Sequence, residues 1–145
     1  VSDIKKVIEP IILNQSKVVY GSRMIKSMSL DDELKKIYQN NHATKILSKY
    51  GGKLINLVIL FLFNKSISDP FTSLKAFDAK MLKELKLETK GFEMDFEIFV
   101  KLYKKKYFFL EVPVKFLPRT PKQGKKITTI DGIKCLLYLI FYKFF

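Results

Sequence analysis

The stretch Lys17-Val18-Val19-Tyr20-Gly21-Ser22-Arg23 decides the fold. Val18-Val19-Tyr20 is a short β-branched and aromatic run, as in a buried strand, and Gly21-Ser22-Arg23 ends it at a turn. Upstream, residues 4, 7, 8, 11, 12 and 13 are apolar. That spacing is close to helical and predicts a helix over 4–14, kinked or shortened at Pro10. A helix feeding a buried strand is an α/β pattern, and the rest of the chain continues it.

Residues 24–41 are polar and without a clear period, which fits a surface loop with a short helix starting near Ser29-Leu30-Asp31-Asp32. Helical spacing returns from Ala43 to Phe63, with an interruption expected at Gly51-Gly52. The half from Leu54 to Phe63 is apolar nearly all round, so it is expected either to be buried in the protein or to lie against lipid, with burial the commoner outcome. A short strand is predicted near Leu74–Phe77, a brief helix over 80–87 and a longer one over 94–105. Tyr107 to Phe116 is aromatic and β-branched but broken by Pro113, as at a sheet edge or bulge. The final segment opens with a capping-box spacing at Thr128–Asp131 and runs as a helix to the end. Lys134, Tyr138 and Tyr142 share one of its faces, and Leu136, Leu137, Ile140, Phe141, Phe144 and Phe145 fill the rest. Such a helix suits either a membrane interface or a protein core.

The chain has 145 residues and a net charge of +13, a balance that favours a polyanionic partner: nucleic acid, an anionic membrane or a phosphorylated ligand. Arg23 and Arg119 are the two arginines among 27 basic residues. Their planar forks suit bidentate phosphate recognition, so they are the first candidates for a phosphate site. A single cysteine, Cys135, excludes an intrachain disulfide, and with His42 it cannot make a metal cluster. No apolar run reaches the roughly 20 residues that span a bilayer. No recognised nucleic-acid motif accompanies the charge, so no specific nucleic-acid partner is expected.

Four segments, in order, resemble the dolichyl- and polyprenyl-phosphate sugar synthases of glycosyltransferase family 2. They are Val18-Val19-Tyr20-Gly21-Ser22-Arg23, Ile67-Ser68-Asp69-Pro70-Phe71-Thr72-Ser73-Leu74-Lys75-Ala76-Phe77, Lys90-Gly91-Phe92-Glu93-Met94-Asp95-Phe96-Glu97 with Glu111-Val112-Pro113-Val114, and Pro118-Arg119-Thr120 with Gly124-Lys125-Lys126-Ile127 and Asp131-Gly132. The resemblance implies an α/β architecture, the C-terminal portion of a GT-A fold over residues 1–127, with an amphipathic helix over 128–145. It implies transfer of a hexose, mannose or glucose, with inversion, from a nucleotide sugar to a polyprenyl or dolichyl phosphate, at the cytoplasmic face of a membrane held peripherally.

By that resemblance Arg23 and Arg119 grip the acceptor phosphate, with Lys125, Lys126, Ser48 and Lys45 around it, and Asp69 is the catalytic carboxylate. Asp69 also suits an N-cap or Asx-turn before Pro70. Glu93, Asp95 and Glu97 either face the sugar or cap and solubilise a helix. Ser73-Leu74 replaces the family's Gly-Phe after Thr72, which removes an aromatic wall. The family's Asp-x-Asp motif, which holds Mg or Mn in the complete enzyme, is absent. With no initiator methionine, the chain is expected to be a fragment that does not catalyse transfer alone. The alternative is a non-catalytic remnant that binds a membrane or a partner chain.

Overall fold

Three strands form one sheet, in the order β2–β1–β3, with β1 (Val18–Ser22) at its centre. The computed structural model describes residues 2–25, 42–115 and 129–144, and the side chains of 42–49 and 129 are outside that description. β2 (Lys75–Phe77) runs antiparallel to β1, with Val18 opposite Phe77 and Tyr20 opposite Lys75. β3 (Leu110–Pro113) runs parallel to β1, with Val19 opposite Leu110 and Ser22 opposite Pro113. Pro113 thus ends an edge strand, where a missing N–H does least harm.

Strand alternation divides the core in two. Val19, Leu110, Val112 and Ala76 face one side, where Val7 and Ile11 of helix α1 (Ser2–Ile12) cover them. Val18, Tyr20 and Phe77 face the other, which is covered by helices α2 (His42–Phe63), α4 (Met94–Lys104) and α5 (Thr129–Phe144). The result is a helix–sheet–helix sandwich of mixed α/β class. Gly21 is the tightest point of the sheet. A Cβ there would lie 2.9 Å from Val114 Cγ1 and 3.1 Å from the Leu74 carbonyl oxygen, so only glycine fits without displacement.

Helix ends follow local rules. Asn14 and Asn64 adopt left-handed φ of 54° and 49°, closing α1 and α2 as Asn commonly does. Pro10 lies inside α1, two residues before its end, and its carbonyl accepts from Gln15 N–H at 2.9 Å. Asp78 caps the short helix α3 (Ala79–Lys83), its Oδ1 accepting from Met81 N–H at 2.8 Å. Residues 29–32 and Thr128 lie outside the described residues.

The expected burial of residues 54–63 holds for one face only. Ile55, Ile59 and Phe63 are in the core, whereas Leu54, Leu57, Leu60 and Phe61 are exposed, Phe61 to 89%. Three strands offer too narrow a platform to cover a helix on all sides, and the helix packs by one stripe. The closing helix α5 packs into the core by one stripe and leaves its other side uncovered. Cys135 and Leu139 are fully buried, while Ile130, Ile133, Leu137, Ile140, Phe141 and Phe144 are exposed. Tyr138 and Tyr142 stack at 4.3 Å along its flank. Burial pushes the Cys135 thiol up to about 12, which makes it a packing group rather than a nucleophile.

Candidate functional site

The carboxyl end of β1 gathers three of the four motif segments. Arg23 leaves the strand and meets Asp69, 46 residues later. Its backbone N–H donates to Asp69 Oδ2 at 3.1 Å and its Nη2 donates to Oδ1 at 2.6 Å, while Nε donates to Oδ2 as well. Asp69 is almost fully buried and Arg23 half-buried. The Asp69 side chain therefore serves the neighbouring strand and not its own turn. The cap and Asx-turn roles open to it in the sequence are not what its carboxylate does; α3 is capped instead by Asp78.

A second tie runs beside the first. Met24 N–H donates to Ser22 Oγ at 3.1 Å, Ser22 Oγ lies 2.5 Å from Ser68 Oγ, and the Ser68 hydroxyl donates to Glu111 Oε1 at 2.8 Å. Ser68 has one hydroxyl proton and gives it to Glu111, so Ser22 is the donor to Ser68. Ser68 N–H also donates to both Glu111 carboxylate oxygens at 3.0 Å, and Asn56 Nδ2 of α2 donates to the Ser68 carbonyl at 3.1 Å. Strand, turn, edge strand and helix are thus locked by one chain of polar contacts.

Lys75 adds a cation. Its ammonium donates to Asp95 Oδ1 at 2.8 Å and to the Thr72 carbonyl at 2.5 Å, and sits 5.1 Å from the centre of the Tyr20 ring. Burial pushes the Lys75 ammonium below its ordinary pKa, and the Asp95 carboxylate pulls it partly back. Burial also pushes the Tyr20 hydroxyl well above the usual phenol range, with the Asp95 and Glu111 charges adding to it. Tyr20 Oη and Asn56 Oδ1 are buried without a protein partner. Both belong to the core face of this site.

The remaining candidates divide as follows. Asp95 joins the site through Lys75. Glu93 precedes α4 and makes no side-chain cap bond; its carboxylate folds over Gly91, where a Cβ would lie 2.5 Å from Oε2. Glu97 neither caps nor solubilises its helix, because it is completely buried. It accepts from the N–H groups of Glu88 and Thr89 at 2.9 Å each, from the Thr89 hydroxyl at 2.5 Å and from the Lys101 ammonium at 2.6 Å. Burial alone would raise its pKa, but these donors together hold it down at about 2. Arg119, Lys125 and Lys126 lie outside the described residues, as do the side chains of Lys45 and Ser48.

Ser68, Glu111 and Lys75 stand inside segments the sequence singled out, yet they were given no role. Asn56 was missed altogether. Its signal was available: it is the one polar side chain in the run from Leu54 to Phe63. Among the described residues no group of three or more His, Cys, Asp or Glu side chains could hold a metal ion. The carboxylates at the site do not fit one either, because Asp69, Asp95 and Glu111 are already engaged by Arg23, Lys75 and Ser68.

No family model matches the chain, and no solved structure matches it. It is similar to an uncharacterized protein of Methanocaldococcus jannaschii, 25% identical over 145 residues, across 99% of this chain and 55% of the relative. The chain therefore spans about half the length of the curated relative it matches. Among the described residues no helix is long and apolar enough to cross a membrane.

Proposed function

We propose that this chain forms the acceptor side of a glycosyltransferase that moves a hexose from a nucleotide sugar to a polyprenyl phosphate. One observation carries the reading: Arg23, Asp69, Lys75 and Asp95, from three of the segments, meet toward the carboxyl end of the central strand. Open α/β sheets bind ligands at that end. The resemblance of four ordered segments to the polyprenyl-phosphate sugar synthases of family 2 points the same way.

In this reading the acceptor is already an anion, so a general base has little to do. A phosphate oxygen of the acceptor attacks the anomeric carbon of the sugar. The bond from that carbon to the nucleoside diphosphate breaks on the opposite face, the diphosphate leaves with the electron pair, and configuration inverts. The chain's part is to hold the acceptor phosphate in line and to offset its charge. Arg23 does this with Asp69 fixing the plane of its guanidinium, and Arg119, Lys125, Lys126, Lys45 and Ser48 complete the grip. Asp69 thus works through Arg23 as well as beside the reaction centre. A nucleotide-binding half and its Mg or Mn ion belong to the rest of the enzyme. The exposed apolar faces of α2 and α5 support peripheral attachment to an anionic membrane at its cytoplasmic face.

The test is transfer of radiolabel from a nucleotide sugar to polyprenyl phosphate by the full-length protein that carries this chain. Arg23→Lys and Arg119→Lys should each cut acceptor use by about tenfold or more, because a bidentate charge-assisted contact is lost. Undiminished transfer in both variants, or label that never enters the lipid fraction, would overturn the reading. The same exposed apolar faces also favour a second reading, a non-catalytic remnant docked on a membrane or partner chain. Label transfer separates the two.

A further inference from the structure

At the opposite end of the sheet from that site, three helices bring their carboxyl ends together. The Phe63 and Tyr103 rings, near the ends of α2 and α4, lie 5.0 Å apart edge to face. Lys143 of α5 places its ammonium 5.2 Å from the first and 5.6 Å from the second. Beside them is a cavity of about 260 Å³ lined by Lys65, Tyr103, Lys104, Lys106 and Tyr107. None of Lys65, Lys104, Lys106 and Lys143 is paired with a carboxylate among the described residues.

Lysines at helix carboxyl ends have an ordinary use, which is to balance the helix dipoles. Three ends carry roughly −0.5 each, about −1.5 in all. Four lysines exceed that by about two and a half positive charges. The excess surrounds a concave, aromatic-walled space rather than an open slope. Its volume falls just short of the ~300 Å³ at which drug-sized ligand pockets begin, so it suits a single small group.

We infer that this pocket takes the phosphate-bearing headgroup of an anionic lipid. The phosphate chemistry follows from the unneutralised ammonium groups around the cavity. The lipid source follows from the last turns of two of these helices: Phe61, on the outer side of α2, and Phe144, which follows Lys143 in α5, are 89% and 70% exposed. Exposed apolar rings on the helices whose ends carry a basic pocket match an interface where acyl chains adjoin charged headgroups. The inference rests on the peripheral-membrane part of the proposed function and is independent of sugar transfer. It gives the membrane contact a defined headgroup seat about one α4 length, 11 residues, from the acceptor site.

The experiment is vesicle co-sedimentation of the 145-residue chain, with phosphatidic acid in phosphatidylcholine against phosphatidylcholine alone. Two charge-matched variants are compared after circular dichroism has shown each to be folded. Lys65→Gln/Lys104→Gln/Lys106→Gln empties the pocket wall. Lys5→Gln/Lys90→Gln/Lys115→Gln removes the same charge from α1, across the sheet, and from the loops at the other end. The pocket variant should lose at least tenfold more binding to the anionic vesicles than the control. Soluble inorganic phosphate at millimolar concentration should not displace the wild type, because the acyl interface contributes with the headgroup. Equal losses in the two variants would overturn the pocket while leaving membrane attachment intact. Full displacement by inorganic phosphate would overturn the lipid source. No preference of the wild type for anionic vesicles would overturn the pocket and the membrane reading together.

Discussion

Arg23 and Asp69 hold each other at the carboxyl end of the central strand, with Asp69 accepting from both the backbone and the guanidinium of Arg23. The pair is largely out of water, so removing one partner leaves an uncompensated charge behind. Asp69→Asn keeps the shape and drops the charge. It should destabilise the chain by about 2–3 kcal/mol, below the ~3–5 kcal/mol of a fully buried pair because Arg23 keeps some solvent. Urea unfolding followed by circular dichroism measures this. A loss under about 0.5 kcal/mol would mean the pair forms no part of the fold's stability.

Tyr20 offers a change in the other direction. Its hydroxyl is buried without a protein partner while its ring packs edge to face on Phe77 and Phe109 at 6.2 and 5.7 Å. Tyr20→Phe keeps both ring contacts and deletes the orphaned group. Thermal unfolding should show an unchanged or higher midpoint, with a gain of up to about 1 kcal/mol. A clear fall would reveal a ligand or ordered water that satisfies the hydroxyl in the native protein.

Glu97 sets an acid limit on the fold. Its pKa is held at about 2 in the folded chain, against 4.5 without these partners. A depressed carboxylate pKa contributes stability that is fully present above the unfolded value and is lost as pH falls through the folded one. The Glu97 contribution should therefore be constant above about pH 5 and fade between 4.5 and 2. Glu97→Gln should cost about 2 kcal/mol or more at pH 7, since four donors lose a charged acceptor in a buried place. The same variant should show a shallower decline in melting temperature below pH 4.5. Parallel declines for variant and wild type would assign the acid sensitivity elsewhere.

These three residues also mark what the sequence could and could not disclose. The strand at Val18–Ser22, the helices at both ends and the edge character of Pro113 follow from local composition, where a period of two or 3.6 decides the outcome. Arg23 and Asp69 stand out in the sequence as candidate site residues through their motifs, but their mutual contact spans 46 residues and depends on how the turn at Ser68 is tied to Glu111. Glu97 reads as a solvent-facing residue of an amphipathic helix. It is buried because the loop at 88–89 turns two N–H groups inward, a tertiary fact with no local signature. The exposed side of α2 was hidden for the opposite reason: apart from Asn56, which bonds the Ser68 carbonyl, the run has no polar residue to show which face the sheet leaves uncovered.

That uncovered side supports the last prediction. Phe61 and Phe144 project from α2 and α5 into solvent, whereas Ile59 on the inner face of α2 is fully buried. Exposed aromatic residues contribute little to folding, so Phe61→Ser/Phe144→Ser should leave the urea midpoint within about 0.5 kcal/mol of the wild type. Ile59→Ser should instead cost at least about 3 kcal/mol, combining a cavity with a buried hydroxyl. If the outer face inserts among lipids, the double serine variant should be released from anionic vesicles by at least tenfold, because two buried rings are withdrawn from the acyl boundary. Retained binding with normal folding would place the membrane contact on charge alone, and raising the salt from 0.05 to 0.5 M would then release the wild type and the variant alike.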